Sequence, residues 1–389
     1  FNIRLTNHSW GGGSFNTALS NAIDGNRSRG ILLVAAAGND GKDNNNAELY
    51  GRIHSPGNEP SAITVGATNT FGTNKRSDDV VTTYSSRGPT RSFWKDWKGV
   101  KHYDNLIKPD LVAPGNKIIG AAAASNLLVS TNPGLCVSQC SSDYGNMRMS
   151  GTSVSTPLVA GAAAVLLEAN PKLTPNMVKM ILMYTAQSLK GYNMLEQGAG
   201  QLNLEGAVRL AKLVRTDLSS TTPVGSSLLT SWAPTAKTTI ASETFSWAQG
   251  VIFNHNWANG SALMTKYQNV YGLGVLLGDG VLISNGVLLC DNAKLSTGVL
   301  ISDNIMVSNG ATMSEGTVLM TNGVLLGDGV LLGDGVLIGD GVLIGDGVLL
   351  GDGTLLADAR GVLLSDLELV ADLALLGDNT HSMASDNRR

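Results

Sequence analysis

The sequence predicts an α/β domain with a parallel sheet flanked by helices over residues 1–215, and an all-β solenoid over residues 244–378. Three observations lead there. Short apolar runs such as Ile31–Ala37 and Ala62–Val65 end in Gly/Asn turns, the pattern of strands buried on both faces. Two helical segments follow, one apolar all round and one with a clear start signal. Beyond residue 244 the chain changes grammar and repeats every six residues, which belongs to a stacked rather than a globular core.

Taken in order, the chain opens at Phe1, with no basic-then-apolar leader, so this start reads as a processing site, a cut, or a point within a longer chain. Thr152 to Leu167 is small and apolar on every side and is expected as a helix in the domain interior. Thr174 to Thr185 is expected as a second helix, with Thr174 as N-cap and Pro175 at the first helical position. Arg91–Asn105 and Asn126–Met147 read as surface insertions, the second close enough to rim a cleft. Residues 216–243, rich in Ser, Thr and Pro, read as a linker, and 379–389 as a polar tail. Cys136 and Cys140, four apart in a polar loop, are compatible with a short-loop disulfide, and Cys290 reads as a free buried thiol.

Charge narrows the partners. Residues 274–378 hold 14 of the 31 acidic but only two of the 27 basic residues, a net of −12, so the remainder carries +8. The acidic tail argues against nucleic acid as a partner. No run of 18 apolar residues occurs, so no spanning segment is expected.

Three local patterns carry chemistry. Ser150-Gly151-Thr152-Ser153-Val154-Ser155-Thr156-Pro157 leads straight into the apolar helix. A serine on a Gly-preceded turn at a helix N-terminus has an exposed hydroxyl, and the helix end favours developing negative charge. Ala35-Ala36-Ala37-Gly38-Asn39 is a small-residue strand ending in an amide, which can donate to an oxyanion formed only in a transition state. Asn7-His8-Ser9-Trp10-Gly11-Gly12 reads as an edge strand able to pair with an extended peptide.

With NHSWGG, VAAAGNDG, SPGNEPSAITVGAT, YSSRGP, KPDLVAPG, SGTSVSTPLVAGAAAVLL and GAGQLNLEGAV in one order over residues 1–212, the chain resembles the subtilases, the subtilisin-like serine proteases. The resemblance implies a secreted endopeptidase with a subtilisin-like sheet. It implies Ser153 as nucleophile, with Asn39 and the Ser153 N–H holding the oxyanion. Ser9, Trp10 and Gly11, with Ala36, Ala37, Gly38 and Thr152, would line the substrate cleft. No cofactor is required, no metal site is assignable, and the partner is a polypeptide substrate.

One departure stands out. The family order is Asp, His, Ser, and both partners of the serine fall upstream of Phe1, together with the N-terminal part of the domain. His8 matches a substrate-pairing position, while His54 and His102 read as solvated loop residues and His255 and His381 belong to the tail. A companion segment bearing Asp and His is therefore an expected partner, and the chain alone is expected to be catalytically incompetent.

The repeat is clearest at 323–358: GVLLGD-GVLLGD-GVLIGD-GVLIGD-GVLLGD-GTLLAD. The register slips near Asn322 and at Ala359–Arg360. The first and third apolar residues of each hexad face one way and the middle one the other, with Gly-Asp at the corner. The pattern resembles left-handed β-helix hexapeptides, which implies three hexads per coil; a stack of short hairpins is the alternative. A middle-position Leu stripe is unlike a soluble monomer's surface, so self-association through 244–378, into filaments or onto a surface, is expected. The Asp column reads as solvated turns or as a structural calcium site. These features also admit a reading as a catalytically silent assembly protein.

Overall fold

In the computed structural model the described residues are 3–12, 22–23, 29–95, most of 97–271, and short strand segments between 300 and 369. The central sheet holds β1 (Leu5–His8), β2 (Leu32–Ala36), β3 (Ile63–Asn69) and β4 (Val80–Val81). A hairpin, β5 (Phe93–Lys95) with β6 (Lys101–Tyr103), fills the first insertion, and β7 (Leu111–Pro114) returns to the sheet beside β3. β1, β2, β3 and β7 run parallel, and β4 joins β3 antiparallel. The run of small and β-branched residues in β2 and β3 explains their burial on both faces, with Val34, Ala35, Ile63 and Val65 fully enclosed.

β8 (Ile118–Ala122) leaves the sheet and pairs antiparallel with β10 (Gly145–Met149), which also pairs with β9 (Cys136–Ser138). The short helix α1 (Leu127–Thr131) sits between them, and Cys136–Cys140 is a disulfide. The second insertion is thus a small three-stranded flap whose last strand feeds the Ser150–Ser153 turn.

Helix α2 (Thr152–Ala169) lies along the sheet and buries Val159, Ala160, Ala163 and Leu166 against it. It is not enclosed on every side, as its composition suggested: Leu158 and Val165 are exposed on its outer face. Helix α3 (Pro175–Tyr184) starts as expected, the Thr174 side chain accepting from Met177 N and Pro175 taking the first turn. α4 (Met194–Gln197) and α5 (Leu204–Ala211) complete the layer.

The core does not stop at 215. Leu228 and Leu229 from the expected linker are buried, and Val214 and Leu229 share a bridge. Hairpins β11 (Lys237–Ile240) with β12 (Glu243–Ser246), and β13 (Gly250–Phe253) with β14 (Asn256–Asn259), pack onto the same cluster. So does α6 (Ala262–Thr265), with Trp247, Val251, Tyr267 and Tyr271 buried. The segment is polar by count, but most of its large apolar residues, Leu228, Leu229, Trp247, Val251, Tyr267 and Tyr271 among them, are buried, while Trp232 is exposed. Ser/Thr/Pro content therefore marks part of a strap over 216–243, where a linker was expected, and residues 244–271 join the same core, where the solenoid was expected to have begun.

Between 300 and 369 the strands form two parallel ladders, with consecutive hexads alternating between them. Gly329 pairs with Gly341 and Gly335 with Gly347, a spacing of two hexads, where the hexapeptide resemblance had implied three. The ladders are parallel, which excludes hairpins for these strands. Slips in the repeat are absorbed between strands: Ala311 pairs with Val324 and Val348 with Val362, so one and two extra residues are taken up. The Asp column, Cys290, His255 and the 379–389 tail lie outside the described residues.

Candidate active site

The parallel strands end together, and the three chemistry-bearing patterns meet at that edge, where open α/β sheets place their ligands. β1 runs out into Ser9, Trp10 and Gly11, and β2 into Ala37, Gly38 and Asn39. β7 delivers Gly115, whose carbonyl accepts from Gly151 N at 2.8 Å. The nucleophile turn is thereby hung from the end of the sheet. Gly151 has φ 145° and ψ 159°, a conformation that favours glycine. Gly115 has no room for a side chain, since a Cβ would lie 2.1 Å from Ser155 Oγ.

Ser153 falls in the first turn of α2, half-buried, at the positive end of the helix dipole. Its neighbour Thr152 is the joint of the site. Thr152 N donates to Asn39 Oδ1 at 2.9 Å, and Thr152 Oγ1 lies 3.2 Å from the same oxygen. The hydroxyl also lies 3.1 Å from Gly38 O and accepts from Gly38 N at 3.2 Å. An amide whose oxygen is engaged this way keeps its two Nδ2 hydrogens as donors. Asn39 and Ser153, 114 residues apart in sequence, are so held through one side chain.

The cleft strands are positioned differently. Ala37 N donates to Val65 O at 2.9 Å and Ala37 O accepts from His54 N at 2.9 Å, so its backbone is locked between β3 and the 54–56 loop. Ser9 Oγ accepts from Asn7 Nδ2 at 3.0 Å. Trp10 is half exposed and its ring stands 5.7 Å from that of His8. Among the described residues β1 pairs with β2 alone. Gly12 and Ser55 exchange two backbone bonds at 3.1 Å, tying the cleft strand to the 54–56 loop.

His54 was expected as a solvated loop residue. It stands instead between Gly11 and Gly38, with Nε2 2.5 Å from Asp40 Oδ2. Spacing could not reveal this, because the pairing depends on two loops crossing at the sheet edge. His8 Nε2 lies 3.2 Å from Thr6 Oγ1, and partial burial holds the ring's pKa below the usual histidine range. Neither histidine is engaged with Ser153. Among the described residues no group of three or more His, Cys, Asp or Glu side chains gathers as a metal site.

Residues 1–205 match the model of the Subtilase family. The chain is similar to the serine protease AprX of Bacillus subtilis, 38% identical over 49% of this chain and 38% of that protein. It is also similar to an extracellular protease of Xanthomonas campestris, 32% identical over 52% of this chain and 27% of that one. Mouse membrane-bound transcription factor site-1 protease is 31% identical over 46% of this chain and 14% of its own length. Among solved structures, the patellamide maturation protease PatA is 28% identical with a TM-score of 0.38, covering 54% of this chain and 64% of that one. The chain spans well under half the length of these curated relatives. Matched over more than half of its own length by the family model, the chain belongs to the subtilase family.

Proposed function

We propose that the protein is a secreted serine endopeptidase that cleaves polypeptides through an acyl-enzyme on Ser153. The observation that carries this reading is the Thr152 joint, which holds the Asn39 amide and the Ser153 turn as one unit at the ends of the strands. In this reading Ser153 Oγ attacks the scissile carbonyl and its proton passes to a histidine of a companion segment, oriented by an aspartate there. Asn39 Nδ2–H and Ser153 N–H hold the oxyanion; the amine leaves with the proton, and water then hydrolyses the ester. Peptide would pair along the Ser9–Gly11 segment on one side and the Ala36–Gly38 segment on the other. In this reading no cofactor enters the chemistry, and calcium has a structural role only.

The alternating ladders support a second module, a two-hexad-per-coil solenoid that drives self-association or attachment. That observation also favours a second reading, a catalytically silent assembly protein. Fluorophosphonate labelling of native material, mapped by mass spectrometry, separates the two. Modification of Ser153 is expected for the peptidase; folded material in which Ser153 stays unlabelled would leave the assembly reading.

A further inference from the structure

The three-stranded flap is built with almost no core of its own. Met147 and Ala122 are its buried apolar side chains, no residue of α1 is buried, and Leu127 and Tyr144 are 73% and 83% exposed. A segment with so few buried contacts opens locally at low cost. Its outer strand, β9, meets β10 at two positions, Ser138 against Asn146 and Cys136 against Met147, with a shift of register between them. The Cys136–Cys140 disulfide closes a small ring there, linking residues four apart. The ring turns at Gln139, with φ 49°, whose carbonyl accepts from Ser142 N at 2.9 Å. Gly145, the first residue of β10, lies against it: a Cβ there would fall 2.9 Å from both Cys140 Cα and Gln139 O. The ring is thus a brace on the start of β10. Val137, Ser138 and Gln139 are exposed and both cysteines are partly so, which leaves the bond within reach of a thiol. β10 runs straight into Ser150, and β8 begins just after Gly115. Two hydrogen bonds join these ends, Gly151 N to Gly115 O at 2.8 Å and Lys117 N to Ser150 Oγ at 2.9 Å. Both ends of the flap therefore frame the turn that carries Ser153.

We propose that the Cys136–Cys140 disulfide is a redox-sensitive brace of the nucleophile turn, so that Ser153 is fully reactive with the bond closed and slowed when it is reduced. This rests on the reading of Ser153 as nucleophile and adds a regulation to it. The bond spans too few residues to restrict the unfolded chain much, so its effect is local. A dithiol supplies the reduction. One of its thiolates attacks a sulfur of the pair, forming a mixed disulfide and releasing the other cysteine; its second thiol then displaces the remaining cysteine and closes a cyclic disulfide. Two electrons pass to the chain, two protons end on Cys136 and Cys140, and the dithiol is oxidised. β9 then loses the link that turns it back at Gln139, and two register contacts are left to hold it. β10 frays from Gly145, and the ends at Gly115 and Ser150 move more freely. Asn39 and the Ser153 N–H are then less well aligned with the developing oxyanion, which slows attack. A chain of this design is quiet in a reducing compartment and active in an oxidising one.

The test follows the native full chain by two readouts. Fluorophosphonate labelling of Ser153 is timed before and after dithiothreitol treatment and iodoacetamide capping, and hydrogen exchange is read on peptides covering 136–149 and 150–155. Reduction is expected to raise exchange in both peptides and to slow labelling about tenfold, and reoxidation in place of capping to restore both. Cys136→Ser/Cys140→Ser should behave as the reduced chain and ignore dithiothreitol; the capped wild type decides if that variant fails to fold. Labelling at one rate in both redox states, or faster exchange confined to 136–149, overturns the proposal and leaves the peptidase reading standing. A response to dithiothreitol that survives in the double variant overturns it as well, by placing the sensitive thiol elsewhere. Exchange that rises in both peptides while Ser153 stays unlabelled in either state keeps the brace and removes the peptidase.

Discussion

Thr152 makes more contacts across the candidate site than Ser153 or Asn39. Its hydroxyl is shared among Gly38 O, Gly38 N and Asn39 Oδ1, so it acts as a positioning residue. Thr152→Val should slow fluorophosphonate labelling of Ser153 by roughly tenfold or more, because a loosened amide no longer meets the developing charge. Thr152→Ser, which restores the hydroxyl, should recover most of the rate; loss of rate in both would point to a packing role instead. Asn39→Ala removes the donor itself, and turnover in the assembled enzyme should fall about 10²–10³-fold. KM should change little, since the amide bonds the oxyanion and not the ground-state carbonyl. These residues were legible from sequence because each sits in a contiguous motif. His54 was not, since its partners Gly11, Gly38 and Asp40 come from other loops.

At the scale of elements, one buried charge cluster ties α3 to the sheet. Asp110, just before β7, receives Lys108 Nζ at 2.7 Å and Lys179 Nζ at 3.0 Å, and all three side chains are enclosed. Both ammonium groups also reach Ala62 O, at 2.8 and 3.0 Å. Two ammonium groups share this one carboxylate. Burial pushes Lys179 down to about 7, against the pull of Asp110. Between that value and its ordinary 10.5 the unfolded chain holds a proton that the folded chain has released. The unfolded state then binds more protons, so stability should rise with pH across this window. Denaturant midpoints should climb from pH 6.5 to pH 9, and Lys179→Met should flatten the climb. A slope unchanged by that substitution would place the titrating group elsewhere. Trp247 is the corresponding anchor of the strap: 3% exposed, edge-on to Tyr184, with Nε1 donating to Thr238 Oγ1 at 2.9 Å. Trp247→Ala should cost about 3–5 kcal/mol in chemical denaturation.

For the whole molecule, the strap changes where the folded unit ends. Arg76 binds it back: its backbone N–H donates to Glu243 Oε2 at 2.8 Å, its Nε to Gln187 Oε1 at 2.6 Å, and its guanidinium lies 4.8 Å from the Phe245 ring centre. A chain ended at residue 215 should expose the surface that Leu228, Trp247, Val251 and Tyr267 cover, and so aggregate or melt earlier than one ended at 271. Equal melting temperatures for the two would show that the strap adds nothing to the core.

Local signals were enough for what is local. The apolar runs of β2 and β3, the Thr174 cap, the Gly-preceded serine turn and the six-residue period are all written in neighbouring residues, because each depends on short-range sterics or hydrogen bonding. Composition failed for residues 216–243, read as a linker, and the repeat pattern for 244–271, read as solenoid; in both a few large side chains outweigh many small polar ones. The burial of one face of α2, the enclosure of His54 and the two-hexad pairing of the ladders depend on what lies across the fold. Period alone sets which residues share a face. Only the pairing of strands decides how many hexads pass before the chain meets itself, and only the crossing of loops at the sheet edge decides that an imidazole fills the space between two glycines.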